Sequence, residues 1–236
     1  MKNLYDNYFD LRNVGKPSIK ERWMPRWLEP FLPENKESNI LDIGCGFGLF
    51  MTTMEEKGYS RLTGVDISKS AVELCNKRNM NVSLIENIID YTDKYTGEKF
   101  DFILLSHVLE HIKKDVVIQT LESIRTKLLV PAGKIIIAVP NAQANTGAYW
   151  AYEDFTHETL YTSGSLLFIL KAAGFKKIDF LDVEGIAGLP RLERLKRKFF
   201  LKIYRRNFAF WNKITRSAFH APSPCIFTYE LKVIVK

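Results

Sequence analysis

The stretch LDIGCGFGLF, residues 41–50, constrains the fold more than any other part of this sequence. Its glycines stand at alternate positions after an apolar run that includes an acid, as in a strand, a tight turn and a helix. Such a turn leaves backbone amides free and lets a ligand approach the main chain closely. Asp66, at the end of LTGVD, follows at the spacing at which an acid can bind ribose hydroxyls. The pattern predicts an α/β domain that binds a ribose-containing ligand.

Short β-rich runs alternate with helix-like runs from residue 39 onward. The predicted helices lie at about 47–57, 69–79, 114–128 and 163–173. The predicted strands are in the runs NILDIG, RLTGVDIS, VSLIEN, FDFILLSHVLEH, PAGKIIIAVPN, KKIDFLDV and IFTYELKVIVK. This alternation is typical of a parallel sheet covered on both faces by helices, so we predict a doubly wound α/β fold.

The composition suits one sizeable core, because 46% of the 236 residues are apolar and 13% are aromatic. We expect a single domain over residues 1–236, in which the proline-broken residues 1–37 form a helical cap. The sequence has no run of about 18 uncharged apolar residues and no signal-peptide core, which predicts a cytoplasmic protein. Cys45, Cys75 and Cys225 match no metal-binding spacing, so we expect reduced, buried thiols.

The details of the glycine turn argue against a dinucleotide. The spacing is G-x-G-x-G with Leu49 next, so the third glycine of the dinucleotide fingerprint is missing. The Asp42 carboxylate would repel a pyrophosphate but would suit a ligand that carries an ammonium group. S-adenosylmethionine has an ammonium group and a ribose but no phosphate. The turn favours this ligand, and a doubly wound domain that binds another nucleotide, or nothing, is the alternative.

The motifs LDIGCGFG, GVDIS, FDFILLSHVLEHI and LLVPAGKIIIAVPN occupy residues 41–48, 64–68, 100–112 and 128–141. With these motifs the chain resembles the class I S-adenosylmethionine-dependent methyltransferases over residues 38–185 and the last strand. The resemblance implies a seven-stranded, mostly parallel, Rossmann-like sheet with an antiparallel last strand. It also implies S-adenosyl-L-methionine as the methyl donor and S-adenosyl-L-homocysteine as the product.

The resemblance assigns residues of this chain to the cofactor. Those that would flank its methionine part are Asp42, Gly44, Cys45 and Gly46. Asp66 would hold the ribose hydroxyls, and Ile67 would lie on the adenine ring. Asn87 stands where the family commonly has an Asp against the adenine amine. Ser106 and His107, at the end of the fourth strand, fall where the family lines the methyl-donor pocket.

The connection after the fifth strand, NAQANTGAYWAYEDFTHETLYT, is long and rich in aromatic residues, as binding loops often are. In it Tyr149, Trp150 and Tyr152 offer flat apolar faces to an acceptor, and Asp154, His157 and Glu158 can handle protons. The segment also resembles its equivalent in methyltransferases from surface-polysaccharide gene clusters. In those enzymes the D-x-T-H-E run opens the helix that closes the acceptor site.

An acceptor hydroxyl needs a base, and an imidazole titrates near neutral pH. His157 is the first candidate for this base and His107 is the second. The alternative for DFTHETL is a helix cap, with Asp154 or Thr156 as the N-cap residue. His107 and His111 could form a metal pair, but no third ligand stands out in the sequence, so we predict no metal. We expect His111, with Glu110, to fix the start of a helix.

Motifs for other acceptors are missing from the sequence. The (D/N)PP(Y/F) motif of amino methylation on nucleobases is absent, and AVPN is only a strand end and a turn. The Pro-Cys pair of cytosine methylation is not found near the predicted cleft, because SPC at 223–225 precedes the last strand. The sequence therefore does not favour a nucleic acid as the partner.

The net charge of +7 comes from one segment, residues 189–217, which holds ten Lys or Arg residues against one Glu. Leu192, Leu195, Phe199 and Ile203 fall on one face of a helix, and basic residues surround them. Three hypotheses remain open: a solvated face packed on its own core, a surface that lies on anionic lipid, and a groove for a nucleic acid or phosphorylated substrate. Bulky apolar residues follow these charges, namely Phe208, Phe210 and Trp211. They favour lipid over nucleic acid, because an interfacial helix buries such groups.

We therefore expect a cap (1–37), a cofactor-binding core (38–185), a basic insertion (186–223) and a last strand (224–236). The expected reaction is O-methylation of a sugar or a related capsule or lipopolysaccharide precursor, which could be phosphorylated or lipid-linked. The alternatives are methylation of a small lipid-like metabolite of the quinone-precursor type, and a cofactor-binding protein without catalysis. The expected location is the cytoplasm, with peripheral contact at the inner membrane surface.

Overall fold

The computed structural model of the protein describes residues 8–12, 14–15, 17–18, 21–218 and 223–236. Parts of the predicted cap and insertion lie outside the described residues, namely 1–7, 13, 16, 19–20 and 219–222. Of the described helices, none is long and apolar enough to cross a membrane.

Seven strands form one sheet in the order β3-β2-β1-β4-β5-β7-β6. Their bounds are Ile40–Ile43 (β1), Leu62–Asp66 (β2), Val82–Leu84 (β3), Phe100–Ser106 (β4), Leu129–Pro140 (β5), Ile178–Phe180 (β6) and Glu230–Val235 (β7). The neighbours from β3 to β5 pair in parallel, whereas β7 runs antiparallel to both β5 and β6. The predicted seven-stranded, mostly parallel sheet with an antiparallel last strand is confirmed.

Helices connect the strands, as the alternation of patterns predicts. Their bounds are Tyr8–Leu11 (α1), Leu49–Glu56 (α2), Lys69–Lys77 (α3), Ile88–Lys94 (α4), Val117–Ser123 (α5), Gly147–Glu153 (α6), Ser163–Ala172 (α7) and Arg191–Thr215 (α8). Two short 3-10 turns lie at Glu29–Phe31 and Leu109–His111. The helix predicted at 114–128 begins later than expected, and a π-helical turn at Ile124–Leu128 replaces its end.

Local signals explain several helix ends. The Ser68 hydroxyl accepts a hydrogen bond from the Ala71 amide and caps α3. Thr162 and Ser165 form a reciprocal capping box at the start of α7. The prediction that a helix opens in the D-x-T-H-E run, or is capped by Asp154 or Thr156, is wrong because these residues precede the capping box and form an irregular turn.

The sheet buries a different set of side chains on each face. On one face alternate residues of the central strands pack against α5 and α7, as Ile103 does against the cluster that contains Leu121 and Leu170. On the other face Phe102 and Leu104 pack with Phe50 of α2 and with Trp27. The N-terminal segment therefore covers part of the sheet, which supports the idea of a cap built from a one-turn helix, a 3-10 turn and irregular chain.

The basic segment forms one 25-residue helix, α8, between β6 and β7. None of its residues is buried. The hypothesis that its apolar face packs on the protein's own core is therefore wrong, since Leu192, Leu195, Phe199 and Ile203 all remain exposed.

Candidate active site

A cavity of about 980 Å³ lies at the carboxyl ends of the parallel strands. The strand order reverses between β1 and β4, and open α/β sheets bind ligands at this switch point. Both of these strands contribute to the wall, β1 with its last residue Ile43 and the following Gly44, and β4 with its last residue Ser106 and the following His107. The cavity is large enough for a cofactor and part of an acceptor.

The glycine turn lies close to the chain that follows β4. Gly44 has a φ of +74°, and a Cβ atom at this position would be 2.5 Å from Val108 Cγ2. The Gly46 amide donates a hydrogen bond of 2.7 Å to Asp66 Oδ2, so the turn is tied to the end of β2. Gly48, in a left-handed conformation, precedes α2. The turn thus has the positive φ angles and the close approach that its sequence predicts.

Asp42 and Asp66 are both buried beside this turn. Burial, with a smaller contribution from Asp66, raises the pKa of Asp42 to about 8. Within the described part of the chain, no hydrogen bond or ion pair to the Asp42 carboxyl group is found. A bound cation would favour the ionised form of Asp42, so the group suits the ammonium of S-adenosylmethionine. Asp66 lines the cavity, whereas the buried Asp42 is not part of the described cavity wall, so a contact of Asp42 with the ammonium group stays a prediction.

Asp66 also fits the role expected of it. Its Oδ1 accepts a hydrogen bond of 2.7 Å from the Ser68 amide, and its Oδ2 accepts the bond from Gly46. Burial raises the pKa of Asp66, while the bonds from Ser68 and Gly46 act in the opposite direction. Each oxygen keeps a lone pair, so the carboxylate, which lines the cavity, can still accept from ribose hydroxyls.

The far end of the cavity is mostly apolar. Ile67, Ile85, Ile88 and Ile89 line it beside the polar Glu86 and Asp90, and the contact of Ile67 with an adenine ring stays a prediction. Asn87 also lines the cavity, but its Oδ1 accepts from the Asp90 amide and its Nδ2 donates to the Asp90 carboxylate, both at 2.9 Å. Asn87 therefore caps α4, and a contact with adenine stays a prediction.

Cys45 lies in the glycine turn, but its side chain points away from the ligand space. It packs with Met51, Val72 and Cys75 in a small cluster behind the turn. A hydrogen bond with Cys75 and burial raise the pKa of the Cys45 thiol. Any contact of Cys45 with the cofactor would thus involve its backbone. All three cysteines are free, and the prediction that all are buried is wrong for Cys225, which is exposed.

His157 is a buried imidazole in the cavity wall. Its Nδ1 lies 2.6 Å from the Trp150 carbonyl oxygen, which can only accept a hydrogen bond. The proton therefore sits on Nδ1, and the lone pair of the neutral ring is on Nε2. Nε2 lies 3.7 Å from Asp154 Oδ2. This is the tautomer that a general base needs.

Asp154 is surrounded by donors from distant parts of the chain. Tyr8 donates a hydrogen bond of 2.5 Å to its Oδ2, Arg12 forms an ion pair with the same oxygen, and Thr156 donates to Oδ1. Burial acts to raise the pKa of Asp154, but these bonds outweigh it and lower the pKa to about 2. Asp154 is ionised at neutral pH and can stabilise a positive charge on His157.

His107 has a different environment from His157. Its Nδ1 donates to Glu110 Oε1 at 3.1 Å, and its Nε2 donates to Glu230 Oε1 at 2.8 Å. Burial acts to lower the pKa of His107, but the two carboxylates outweigh it and raise the pKa to about 10. His107 is a protonated imidazolium near neutral pH. Both ring nitrogens donate to carboxylates, so the geometry argues against His107 as the general base.

Glu230 extends this pair into a chain of alternating charges. The buried Lys232 lies 3.8 Å from Glu230 Oε2 and 3.3 Å from Asp182 Oδ2. The charges thus alternate along the chain from Glu110 through His107, Glu230 and Lys232 to Asp182. Buried charges persist when they are paired in this way.

Glu110, His111 and His157 bring ligand-type atoms within 4.8 Å of one another. The pair considered from the sequence was His107 with His111, but His107 is not part of this group and pairs with Glu110 and Glu230 instead, so the residues that accompany His111 are Glu110 and His157. The His111 Nδ1 lies 2.9 Å from the Thr156 hydroxyl, and burial lowers the pKa of His111. Glu110 and His111 do form a 3-10 turn, as expected of a helix start.

The aromatic residues of the acceptor connection divide into two groups. Trp150 lines the cavity, but the described lining does not include Tyr149 or Tyr152. These two side chains are 54% and 85% exposed to solvent. Sequence reasoning treated all three alike because it could not tell which face of α6 would point inward.

Sequence reasoning missed several wall residues. Tyr8 and Phe9 belong to α1 and Arg12 directly follows it, and the Phe9 ring contacts the Phe47 ring of the glycine turn in a tilted arrangement, with the ring centroids 4.3 Å apart. The only signal for them was the density of aromatic residues near the N-terminus. Glu230 could have been found as one of two charged residues, with Lys232, in the mostly apolar last strand.

A profile of the methyltransferase domain family matches residues 18–179, which is more than half of the chain. The chain therefore belongs to this family. The predicted class I fold and the S-adenosylmethionine cofactor of the family are confirmed.

Curated relatives match only part of the chain. EEF1A lysine methyltransferase 2 of Danio rerio is 31% identical over 105 residues, 41% of this chain and 45% of that protein. Ubiquinone biosynthesis O-methyltransferase of Chelativorans sp. (strain BNC1) is 32% identical over 124 residues, 50% of this chain and 44% of that protein. The chain spans less than half the length of these relatives.

Solved structures resemble the whole chain. A SAM-dependent methyltransferase from Archaeoglobus fulgidus has a TM-score of 0.65 at 20% identity, with 99% of each chain covered. Phosphoethanolamine N-methyltransferase 2 of Haemonchus contortus, in complex with S-adenosyl-L-methionine, has a TM-score of 0.60 at 16% identity. That match covers 98% of this chain and 59% of the other. At these identities the likeness shows the fold alone.

Proposed function

We propose that this chain is an S-adenosylmethionine-dependent O-methyltransferase in which His157 takes the proton from an acceptor hydroxyl. The observation that carries the proposal is the hydrogen bond from His157 Nδ1 to the Trp150 carbonyl oxygen. Because this bond holds the proton of the ring on Nδ1, Nε2 keeps a lone pair and can accept a proton. Ionised Asp154, 3.7 Å from Nε2, would stabilise the imidazolium that forms.

When bound, S-adenosylmethionine supplies a methyl group on a sulfonium, which is a good leaving group. The protein has only to orient the acceptor, exclude water and accept a proton. We propose that Asp42, Gly44, Gly46 and the Cys45 backbone hold the methionine part and that Asp66 holds the ribose. Ser106, at the end of β4, would then lie beside the methyl donor.

We propose a sugar, or a related capsule or lipopolysaccharide precursor, as the acceptor. Glu110 Oε2 supports this choice, because it is buried and has no hydrogen-bond partner among the described residues. A carboxylate oxygen in that state needs a donor, and a hydroxyl of the acceptor could supply it. Lys113 also lines the cavity and would suit a phosphate on a nucleotide-linked or lipid-linked sugar.

A quinone-precursor phenol is the second candidate acceptor. It is favoured by the curated relatives named as ubiquinone biosynthesis O-methyltransferases. A cytoplasmic location is part of both proposals, because the three cysteines are free, as is usual where thiols are kept reduced.

The test is to incubate the purified chain with S-adenosylmethionine and separate panels of nucleotide sugars and quinone-precursor phenols. Mass spectrometry would detect the product as an acceptor with one added methyl group. We expect a product from the sugar panel. A product from the phenols alone would replace the first candidate with the second.

His157→Asn tests the base. The Asn amide can still donate to the Trp150 carbonyl oxygen, but it cannot take up a proton, so turnover should fall by roughly a hundredfold or more. Calorimetry should show unchanged affinity for S-adenosylhomocysteine. Tyr152→Phe is the matched control on the same connection and should leave turnover unchanged, because Tyr152 is exposed. An unchanged rate in His157→Asn would contradict the role of His157, and cofactor binding without any turnover would indicate a non-catalytic protein.

A further inference from the structure

Helix α8 presents its apolar residues to solvent. Leu192, Leu195, Phe199, Ile203, Phe210 and Ile214 recur at intervals of three, four or seven residues, so they form one stripe. Every one of these side chains is between 48% and 66% exposed. Phe200 and Trp211 widen the stripe and are equally exposed. A long helix in a folded domain usually turns such a stripe toward the core.

The opposite side of α8 attaches the helix to the body of the protein. The Tyr204 hydroxyl donates a hydrogen bond of 2.8 Å to Asn145 Oδ1, and the Tyr204 ring lies 5.0 Å from the Phe227 ring. Arg197 and Arg205 contact Glu184, through its carbonyl oxygen at 2.9 Å and its carboxylate at 3.5 Å. These contacts determine which face of α8 points outward.

Cations border the apolar stripe. Lys202, Arg206 and Lys213 lie next to it on the helix and form no ion pair within the described part of the chain. The single acid of the helix, Glu193, pairs with Lys196 at 3.4 Å. The outer surface of α8 is therefore both apolar and strongly positive.

We infer that α8 is a membrane-docking helix that lies in the interface of a bilayer containing anionic lipid. A stripe of aromatic and aliphatic residues bordered by Lys and Arg is what such a helix requires, since the apolar groups enter the acyl boundary and the cations meet the headgroups. A nucleic acid would use the cations but would leave the apolar stripe in water. A second copy of α8 would bring like charges together.

The docking face is connected to the cavity by the segments that anchor α8. Asn145 belongs to the connection that supplies Trp150, and Phe227 precedes the residues Tyr229 and Glu230 of the cavity wall. A protein docked through α8 would thus hold the cavity near the lipid surface. This inference stands independently of the proposed reaction, because its tests measure binding alone.

The test is sedimentation of the full chain with phosphatidylcholine vesicles, with and without phosphatidylglycerol. We expect sedimentation only with the anionic vesicles and release by moderate salt, because salt screens the attraction. Trp211 emission should shift to the blue with the anionic vesicles, and brominated lipid should quench it. Failure of the wild-type chain to bind anionic vesicles would overturn the inference.

Two variants of α8 separate charge from apolar contact. Replacing Lys202, Arg206 and Lys213 with Gln should weaken binding by roughly a hundredfold, since each cation near an anionic surface contributes about fivefold. Replacing Phe199 and Ile203 with Ser should also weaken it, while the melting temperature stays unchanged because both side chains are exposed. The matched control replaces Lys171, Lys176 and Lys177 with Gln, which removes the same charge from an exposed surface elsewhere.

Each outcome decides the inference. Loss of binding in both α8 variants, with binding retained in the control, supports it. Equal weakening in the control would mean that net charge alone attracts the protein. Binding of RNA that competes with vesicles, or a dimer that the Ser variant dissociates, would identify a different occupant of α8 and overturn the inference.

Discussion

The cavity and the outer face of α8 are both rich in aromatic side chains, yet they differ in charge. The cavity wall includes six acidic residues, namely Asp66, Glu86, Asp90, Glu110, Asp154 and Glu230. Helix α8 has nine basic residues and one acid. A cationic cofactor meets a complementary field in the cavity, whereas an anionic partner is attracted to the outside. The net charge of the chain therefore describes α8 and not the site of the proposed chemistry.

The two regions also differ in packing. Around the glycine turn there is no room for one more carbon atom at Gly44, whereas the apolar side chains of α8 have solvent on their outer side. Substitutions that add atoms at the glycine turn should therefore lower the stability of the fold, whereas substitutions on the outer face of α8 should change the binding of the protein to lipid.

The largest expected effect on stability is that of Gly44→Ala. The new Cβ would meet Val108 Cγ2 and would adopt a φ of +74°, so unfolding should become easier by roughly 2 to 5 kcal/mol. Denaturant titration measures this, and adding Val108→Ala should restore the steric part of the loss. Phe199→Ser in α8 is the control and should change stability by less than about 0.5 kcal/mol. Equal losses at Gly44 and Phe199 would refute the contrast in packing.

A smaller effect is expected from the acid at the end of β2. Asp66→Ala should weaken binding of S-adenosylhomocysteine by roughly 1 to 3 kcal/mol, because an ionised acceptor for the ribose is lost. Asp66→Asn keeps the size and one acceptor oxygen, so its loss should be smaller. Calorimetry on both variants, with NAD as a comparison ligand, measures the difference. Tight binding of NAD without binding of the adenosyl ligand would contradict the cofactor assignment.

The smallest expected effect is the pH dependence that His107 adds to stability, because the His107 side chain is 44% exposed and solvent screens its ion pairs. Its pKa is about 10 in the folded protein and about 6.5 in an unfolded chain, so the folded state favours the bound proton. This contribution is fully present below about pH 6.5 and is lost as the pH rises toward 10. The melting temperatures of the wild type and His107→Gln should therefore converge between these values. A constant difference across this range would show that His107 is not protonated in the folded protein.

The glycine turn and the acid bonded to it could be predicted from the sequence because their signals are local. The positive φ angles at Gly44 and Gly46 and the acid Asp66 belong to one continuous unit that runs from β1 through the turn and α2 to the end of β2. The rest depends on contacts between distant segments, such as that of Tyr8 with Asp154 and that of His107 with Glu230. No spacing rule connects residues so far apart, since tertiary packing alone brings them together.

The prediction for α8 succeeded in part for the same reason. Its periodicity predicts a helix with an apolar face, and the helix forms. Periodicity does not say whether that face meets the core or the solvent, and the anchors Tyr204 and Arg197 decide the orientation.

The position of β7 has a consequence for the order of folding. β6 pairs with β7, and β7 fills the gap between β6 and β5, yet α8 separates β6 from β7 in the chain. Since a nascent chain emerges from its N-terminus onward, the whole of α8 is synthesised before the strand that closes the sheet. Until then β5 keeps an open edge, and His107 lacks the carboxylate of Glu230. If α8 docks on a bilayer as we infer, it can do so before β7 pairs with β5 and before Glu230 completes the cavity wall.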